Sequence, residues 1–471
     1  MLKINKNLKD NLIGDRAFYA KVITIAVPLM IQNTITNVVS LLDNVMVGRV
    51  GTLEMSAVAI INQLLFVYNL CIFGGLAGAG IFSTQFAGAK DDKGVGYCFR
   101  VKLIIAAAMF GIALLVFTVF PRQIIGMYLA KDTAAEIVSV TTTHAQNYLK
   151  IMLIGLLPFA FSQVYASTLR ELGETKLPMF SSIASIVVNL VLNWLLIFGK
   201  LGCPRLGVVG AAIATVLSRY VELSIIIIAT HARKKEFAFI KGVYKSIYIP
   251  KTLAKDIGKR GLPLLANEFL WAAGMAVLLQ CYSVRGLQVV AAANIASNIN
   301  NLFNVVFISM GSSIAIMVGQ CLGAGKTEKA KQTAWRLIFA TFLACVLVGA
   351  VLALISPYVP NMYKTEPEVK RLATKLLFVF AGAMPFYSIA HNCYFTIRSG
   401  GKTGITFIFD SAFTWGVCVP IAFFLANFTS VPIVPLYIIV QSIEFIKGVI
   451  GFILIKKGIW INKLVGETNN E

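Results

Sequence analysis

An aspartate stands at position 43, in the stretch LLDNVMVG, inside an apolar run that opens near Val22. Placing a carboxylate in hydrocarbon costs roughly 2.5–3.5 kcal/mol on insertion scales, so Asp43 must face a cavity or a partner rather than lipid. It does not stand alone. At about 100° per residue, Asn33, Thr36, Asn37, Ser40, Asp43 and Asn44 fall within an arc of roughly 120°, with Thr34 outside it. A carboxylate on a stripe of amides and hydroxyls has the chemistry to hold a cation or a proton. The plainer reading of the stripe is hydrogen-bonding glue between helices. Pro28 lies about four turns upstream, in AVPLMIQN, where it removes a helical hydrogen bond and kinks the run. A kink that bends or straightens with the charge on Asp43 would be a bistable element. A static kink packed by a neighbour is the alternative.

Other apolar segments carry related residues. Ser182, Ser185, Asn189 and Asn193 share one helical face. Their amides suit a cation as oxygen ligands, or Asp43 as a hydrogen-bond partner, or helix packing alone. Glu268, in PLLANEFLWAAG, and Asp410, on the stripe Thr406, Asp410 and Thr414, are further acids in apolar surroundings. Both are read as functional by the same default, as charges that attract a cationic substrate. Asn294, Asn298, Asn301 and Asn304 line one side of another run, a wall suited to a water-filled cavity, with Asn298 and Asn301 as substrate contacts. Glu222 can pair with Arg219 at i−3 and Glu444 with Lys447 at i+3, which makes both structural. The glycines of GGLAGAG precede no Lys-Ser/Thr, so helix packing through Gly74 and Gly78 explains them better than a phosphate cradle.

The elements that must position these residues are long apolar helices. The chain has 471 residues, 58% hydrophobic and 13% charged, where a soluble protein carries about 25% charged residues. This composition points to a polytopic membrane protein. Twelve segments reach the roughly 20 apolar residues that a spanning helix needs. They lie near 18–47, 53–84, 98–119, 140–168, 178–199, 207–230, 259–283, 287–321, 334–356, 372–397, 403–427 and 432–456. The net charge of +21 would suggest nucleic acid in a soluble chain, but the basic residues cluster in short connections, as membrane topology requires. Lys3, Lys6, Lys9 and Arg16 mark the N-terminal side, and the 231–260 segment, rich in Lys and Arg, marks the same side. Both termini are therefore expected in the cytoplasm, although Lys364, Lys370, Arg371 and Lys375 run against the pattern. Eight scattered cysteines read as small buried hydrophobes, and three histidines make a His-built metal site unexpected. No nucleophile–base pair or metal cluster points to an enzyme.

The chain also repeats. Pro28 and Pro263 are 235 positions apart, as are Gln85 of QFAGAK and Gln320 of QCLGAGK, and Asn69 and Asn304. TLRELGET, from Thr168, aligns with TIRSGGKT, from Thr396, after a gap of seven. The expected organisation is an all-α membrane protein of two pseudo-symmetric six-helix bundles, residues 1–230 and 259–471, joined by a cytoplasmic linker at 231–258. Because six is even, the halves should share orientation about an axis along the membrane normal. Pro28 and Pro263 are its expected hinges.

AVPLMIQNTITNVVSLLDNVMVGRVG, TQFAGAKD with GQCLGAGK, TLRELGETK with TIRSGGKT, and NLVLNWLLIFG together resemble the multidrug and toxic compound extrusion (MATE) family over nearly the whole chain. The resemblance implies two six-helix lobes forming a V in a bacterial cytoplasmic membrane, monomeric, exporting organic cations against inward Na⁺ or H⁺. That ion would be the coupling partner, with no other cofactor and no nucleic acid. By resemblance Asp43 falls on the N-lobe cation-site aspartate, Pro28 on the bending proline, Asn189 on the site's asparagine, and Thr215, in GAAIATVLSR, on its threonine. Many members carry a second aspartate where this chain has Asn193. The C-lobe acids of some branches fall on Trp271 and about Tyr387, so Glu268 and Asp410 do not inherit that role. The competing expectation is a lipid-linked-oligosaccharide flippase of the same superfamily, which should show a strongly cationic cavity; few basic residues lie inside these spans.

Overall fold

The computed structural model describes residues 12–128 and 135–466; the side chains of Leu41, Asn44, Val45, Thr52 and Ala135 lie outside the described set. Asn44 of the polar stripe, and the topological charges Lys3, Lys6 and Lys9, therefore fall outside it. The described chain is helix and connection, with no strand among the described residues. Among the described residues, twelve helices are long and apolar enough to cross a membrane. Spans 1 to 6 are Arg16–Gly48, Thr52–Ala89, Asp92–Val119, Ala135–Glu171, Lys176–Phe198 and Val208–Ala232. Spans 7 to 10 are Lys251–Ser283, Leu287–Gly323, Thr327–Ile355 and Pro367–Ser399. Span 11 is Thr403–Phe428 and span 12 is Ile433–Lys456.

Several helices outrun their apolar windows. Span 2 runs for 38 residues, about 57 Å at 1.5 Å per residue, against a hydrocarbon core of about 30 Å. Hydropathy stops where charges begin; the helix does not, because an α-helix satisfies its own backbone in any solvent. Span 11 departs from α geometry in its middle, with π-helical turns at Ile408–Ala412 and Thr414–Cys418 between α segments at Thr403–Phe407 and Val419–Phe428. Pro420 follows at the second position of the closing α segment. It lacks the N–H that an α-helix would aim at the Gly416 carbonyl, and its ring crowds that carbonyl.

The chain forms two compact units. One contains residues up to Met30, Thr84–Asp91 and everything from Leu262; the other contains Ile31–Ser83 and Asp92–Gly261. The expected division at 231–258 thus follows the sequence repeat, while the compact units exchange segments of spans 1, 2 and 7. Spans 1 and 7 each change unit beside their proline, Pro28 or Pro263.

In the unit that holds the C-terminal spans, the start of span 1 contributes Val22, Ile25, Ala26 and Leu29, spaced to form one helical face. They join a core with Ile314, Leu337, Ile397 and Trp460. Here the paired repeat motifs cross: a Cβ on Gly88 would strike the Gln320 carbonyl, and one on Gly323 the Gln85 carbonyl. These contacts are reciprocal, as a two-fold relation between the motifs requires. Gln85 also ties the end of span 10 to the segment after span 12, donating to the Ser399 and Asn462 carbonyls and accepting from the Leu464 N–H.

In the other unit, span 6 packs on spans 4 and 5, and span 4 on span 3. The basic linker folds back onto this unit. Phe239, Ile240 and Val243 are buried, and Arg100 of span 3 donates to the carbonyls of Val243 at 2.7 Å and Tyr248 at 2.9 Å.

Candidate functional site

The polar faces of spans 1 and 5 meet at Asp43. Ser182, Ser185, Asn189 and Asn193 are all buried on one face of span 5, and the last two reach the acid in sequence. Asn193 donates from Nδ2 to Asp43 Oδ1 at 2.8 Å and to Asn189 Oδ1 at 3.1 Å. Asn189 in turn donates to Thr215 Oγ1 of span 6 at 3.4 Å, and Thr215 donates to the Ala211 carbonyl at 3.0 Å. Ser185 ties the same two helices lower down, donating to the Ser218 carbonyl at 2.7 Å. The four expected residues of this group therefore form one hydrogen-bonded chain across three helices. Asn193 Oδ1 is enclosed and has no hydrogen-bond partner. A carboxylate with an unsatisfied amide oxygen beside it is a set of oxygen donors for a small cation or a protonated group.

Glu268 and Asp410 occupy the other unit, and each faces an internal cation. Lys447 Nζ of span 12 lies 2.6 Å from Asp410 Oδ1 and 3.9 Å from a Glu444 oxygen. The expected Glu444–Lys447 pair is thus the longer of two contacts. Asn267 of span 7 donates to Asp410 Oδ2 at 3.0 Å. It also reaches Tyr394 of span 10 at 3.3 Å, and the Tyr394 hydroxyl donates to Glu268 at 3.5 Å. Arg398 lies 3.9 Å from Glu268. The π-helical turn is secured by Ser411, whose N–H and hydroxyl both donate to Asn267 Oδ1, at 3.3 and 2.7 Å. The network joins spans 7, 10, 11 and 12. Asn298 and Asn301 lie exposed on span 8, and Asn298 makes no hydrogen bond to this network among the described residues. Two further amides, Asn69 and its repeat equivalent Asn304, each enclose an Oδ1 without a partner.

Sequence reasoning missed Asn267, Tyr394, Arg398 and Lys447 as partners of the two acids. Lys447 was the available signal: a lysine inside an apolar run is as expensive as an aspartate there.

The MatE family model matches residues 28–195 and 263–424, and its two segments begin at the two repeated prolines. The probable multidrug resistance protein YoeA of Bacillus subtilis is 25% identical over 446 residues, covering 92% of this chain and 93% of its own. The probable multidrug resistance protein NorM of Thermotoga maritima is 24% identical over 449 residues, covering 94% of each chain. Among solved structures, an outward-facing MATE family multidrug resistance transporter of the MOP superfamily matches with a TM-score of 0.83 at 19% identity. That match covers 95% of this chain and 97% of the other, and it speaks for the fold. With its family model spanning both repeats and its twelve-helix fold shared, the chain belongs to the MatE family of multidrug efflux transporters.

Proposed function

We propose that the protein is a secondary active antiporter that exports organic cations in exchange for inward Na⁺ or H⁺, with the coupling cation taken at Asp43. The observation that carries this reading is the chain from Asp43 through Asn193 and Asn189 to Thr215, with the Asn193 oxygen left over as a ligand. Cation binding neutralises Asp43, and the hydrogen bond that span 1 makes to span 5, which continues through Asn189 to span 6, changes with its charge. Pro28 sits on the same helix, where a missing hydrogen bond makes bending inexpensive. In this reading the cation drives a bend at Pro28, with Pro263 as its counterpart, and the cargo is released outward. The protein works as a monomer in a bacterial cytoplasmic membrane with both termini inside.

The test is efflux from proteoliposomes under a Na⁺ gradient alone and a H⁺ gradient alone. The wild type is expected to respond to one gradient, and Asp43→Asn to lose at least tenfold of that response. Undiminished gradient-driven efflux by Asp43→Asn would refute the site.

A further inference from the structure

The Asp43 site leaves the Glu268–Asp410 network without a role. That network holds three acids, Glu268, Asp410 and Glu444, and two bases, Arg398 and Lys447. One acid is therefore in excess, inside spans where an uncompensated charge is expensive. Lys447 stands between two of the acids. Its close partner is Asp410, and Glu444 lies one turn earlier on the same helix. The four-carbon lysine stem lets the ammonium pass between the two carboxylates by rotamer changes alone. Asp410 is fixed, by contrast: Asn267 holds its second oxygen and the π-helical turn sets its direction. Such widened turns recur at functional sites. In the same network, His391, whose ring lies 6.4 Å from that of Tyr394, has its Nε2 enclosed without a hydrogen-bond partner. His391 is within electrostatic reach of Asp410 and Lys447. Enclosed polar atoms without partners are rare in folded proteins and call for an explanation.

We propose that Lys447 is a tethered counter-cation that occupies Asp410 in the resting molecule and yields that carboxylate to a monovalent cation, itself moving to Glu444. The ligand carries one positive charge because the network carries one acid too many; a monocation neutralises it and a dication overshoots. An organic ammonium and Na⁺ share this chemistry. Lys447 is thus a specificity-determining residue: only a ligand that binds Asp410 better than the resident ammonium is admitted. The inference rests on the reading of the chain as a transporter of cations, but its test does not depend on gradient coupling.

Two charge-matched double variants make the test, with binding measured on purified full-length protein in detergent. Lys447→Met with Glu444→Gln leaves Asp410 unoccupied; Lys447→Met with Asp410→Asn leaves Glu444 instead. The probes are ethidium, a fluorescent monovalent organic cation, and radioactive ²²Na⁺. The first variant is expected to bind at least one probe tenfold more tightly than the wild type, and the second to show no gain. A gain for ethidium identifies cargo as the displacing ligand, and a gain for ²²Na⁺ alone identifies Na⁺ as the displacing ligand. Equal affinities of the two variants for both probes overturn the proposal. Should the first variant not fold, Glu444→Gln alone removes the alternative seat of Lys447 while sparing its pair with Asp410. It is expected to weaken binding of whichever probe the wild type takes by at least tenfold, and unchanged binding overturns the proposal. Loss of the Asp43 reading shows itself elsewhere, as gradient-driven efflux that survives Asp43→Asn.

Discussion

Lys102 and Lys447 are both lysines enclosed within spans, and their surroundings give them different freedoms. Lys102 is fully buried and donates to both Glu171 oxygens, at 2.7 and 2.6 Å, to Ser167 at 3.2 Å and to Thr168 at 3.1 Å. All its donors are engaged on one helix, span 4, so it is a fixed strut between spans 3 and 4. Removing one member of a buried pair strands the other, at about 3–5 kcal/mol. Lys102→Met is expected to lower the melting temperature sharply, and Lys102→Met with Glu171→Gln to recover most of the loss. A double variant no more stable than the single one would show that the pair is not the source of the effect. Lys447, with one close carboxylate and a second at 3.9 Å, has somewhere else to go. The two cases also mark what sequence could reveal at this scale. Asp43 and Asn193 both lie on polar stripes, so their meeting was legible. Lys447 and Asp410 lie on different helices, and the i+3 neighbour Glu444 was the more visible partner.

At the scale of elements, the twelve helices were legible because hydropathy is a property of long windows, and their ends were not because polar residues extend a helix past the lipid. Asp92–Val119 shows this: its first turns carry Asp92 and Lys93 and lie outside the apolar window. Span 11 was legible as a span but not as a π-helix, since the register depends on how Asn267 and Ser411 meet across helices. Pro420 was the only local hint. Its substitution is a test of whether the widened turn positions Asp410. With Pro420→Ala, an N–H becomes available to the Gly416 carbonyl and the second widened turn, Thr414–Cys418, can tighten to α geometry, which shifts the helical register between Asp410 and the rest of span 11. Proline is tolerated in the first turn of an α segment but alanine is the better helix former, so the variant is expected to be at least as stable as the wild type. Its export is expected to fall by at least tenfold, measured in proteoliposomes beside the melting temperature. Full export from Pro420→Ala would make the widened turn dispensable.

For the whole molecule, the repeat converts local chemistry into a requirement on two places at once. Gly88 and Gly323 are equivalent positions, and each lies against the backbone of the other's motif, at Gln320 and Gln85. Backbone has no rotamer with which to move aside, so a methyl group at either glycine forces the two helices apart. Overpacking of this kind costs typically about 1–3 kcal/mol. Gly88→Ala and Gly323→Ala are therefore expected to lower the melting temperature by similar amounts, although one lies in the first half of the chain and the other in the second. Helical glycines elsewhere supply the contrast. A Cβ on Gly111 or Gly382 would meet nothing within 4 Å, so alanine there should only stiffen the helix, worth roughly 0.5–1 kcal/mol of stability. The expected order of melting temperatures places Gly111→Ala and Gly382→Ala at or above the wild type, and both motif variants below it. If Gly88→Ala and Gly323→Ala differ widely, the crossing is not the two-fold element that the reciprocal contacts describe. If they agree, the paired Gln-x-x-Gly-Ala motifs owe their shared spacing to a packing demand at one crossing, and the chemistry of export must be sought in the residues that the repeat does not share: Asp43, whose equivalent is Leu278, and Glu268, whose equivalent is Asn33.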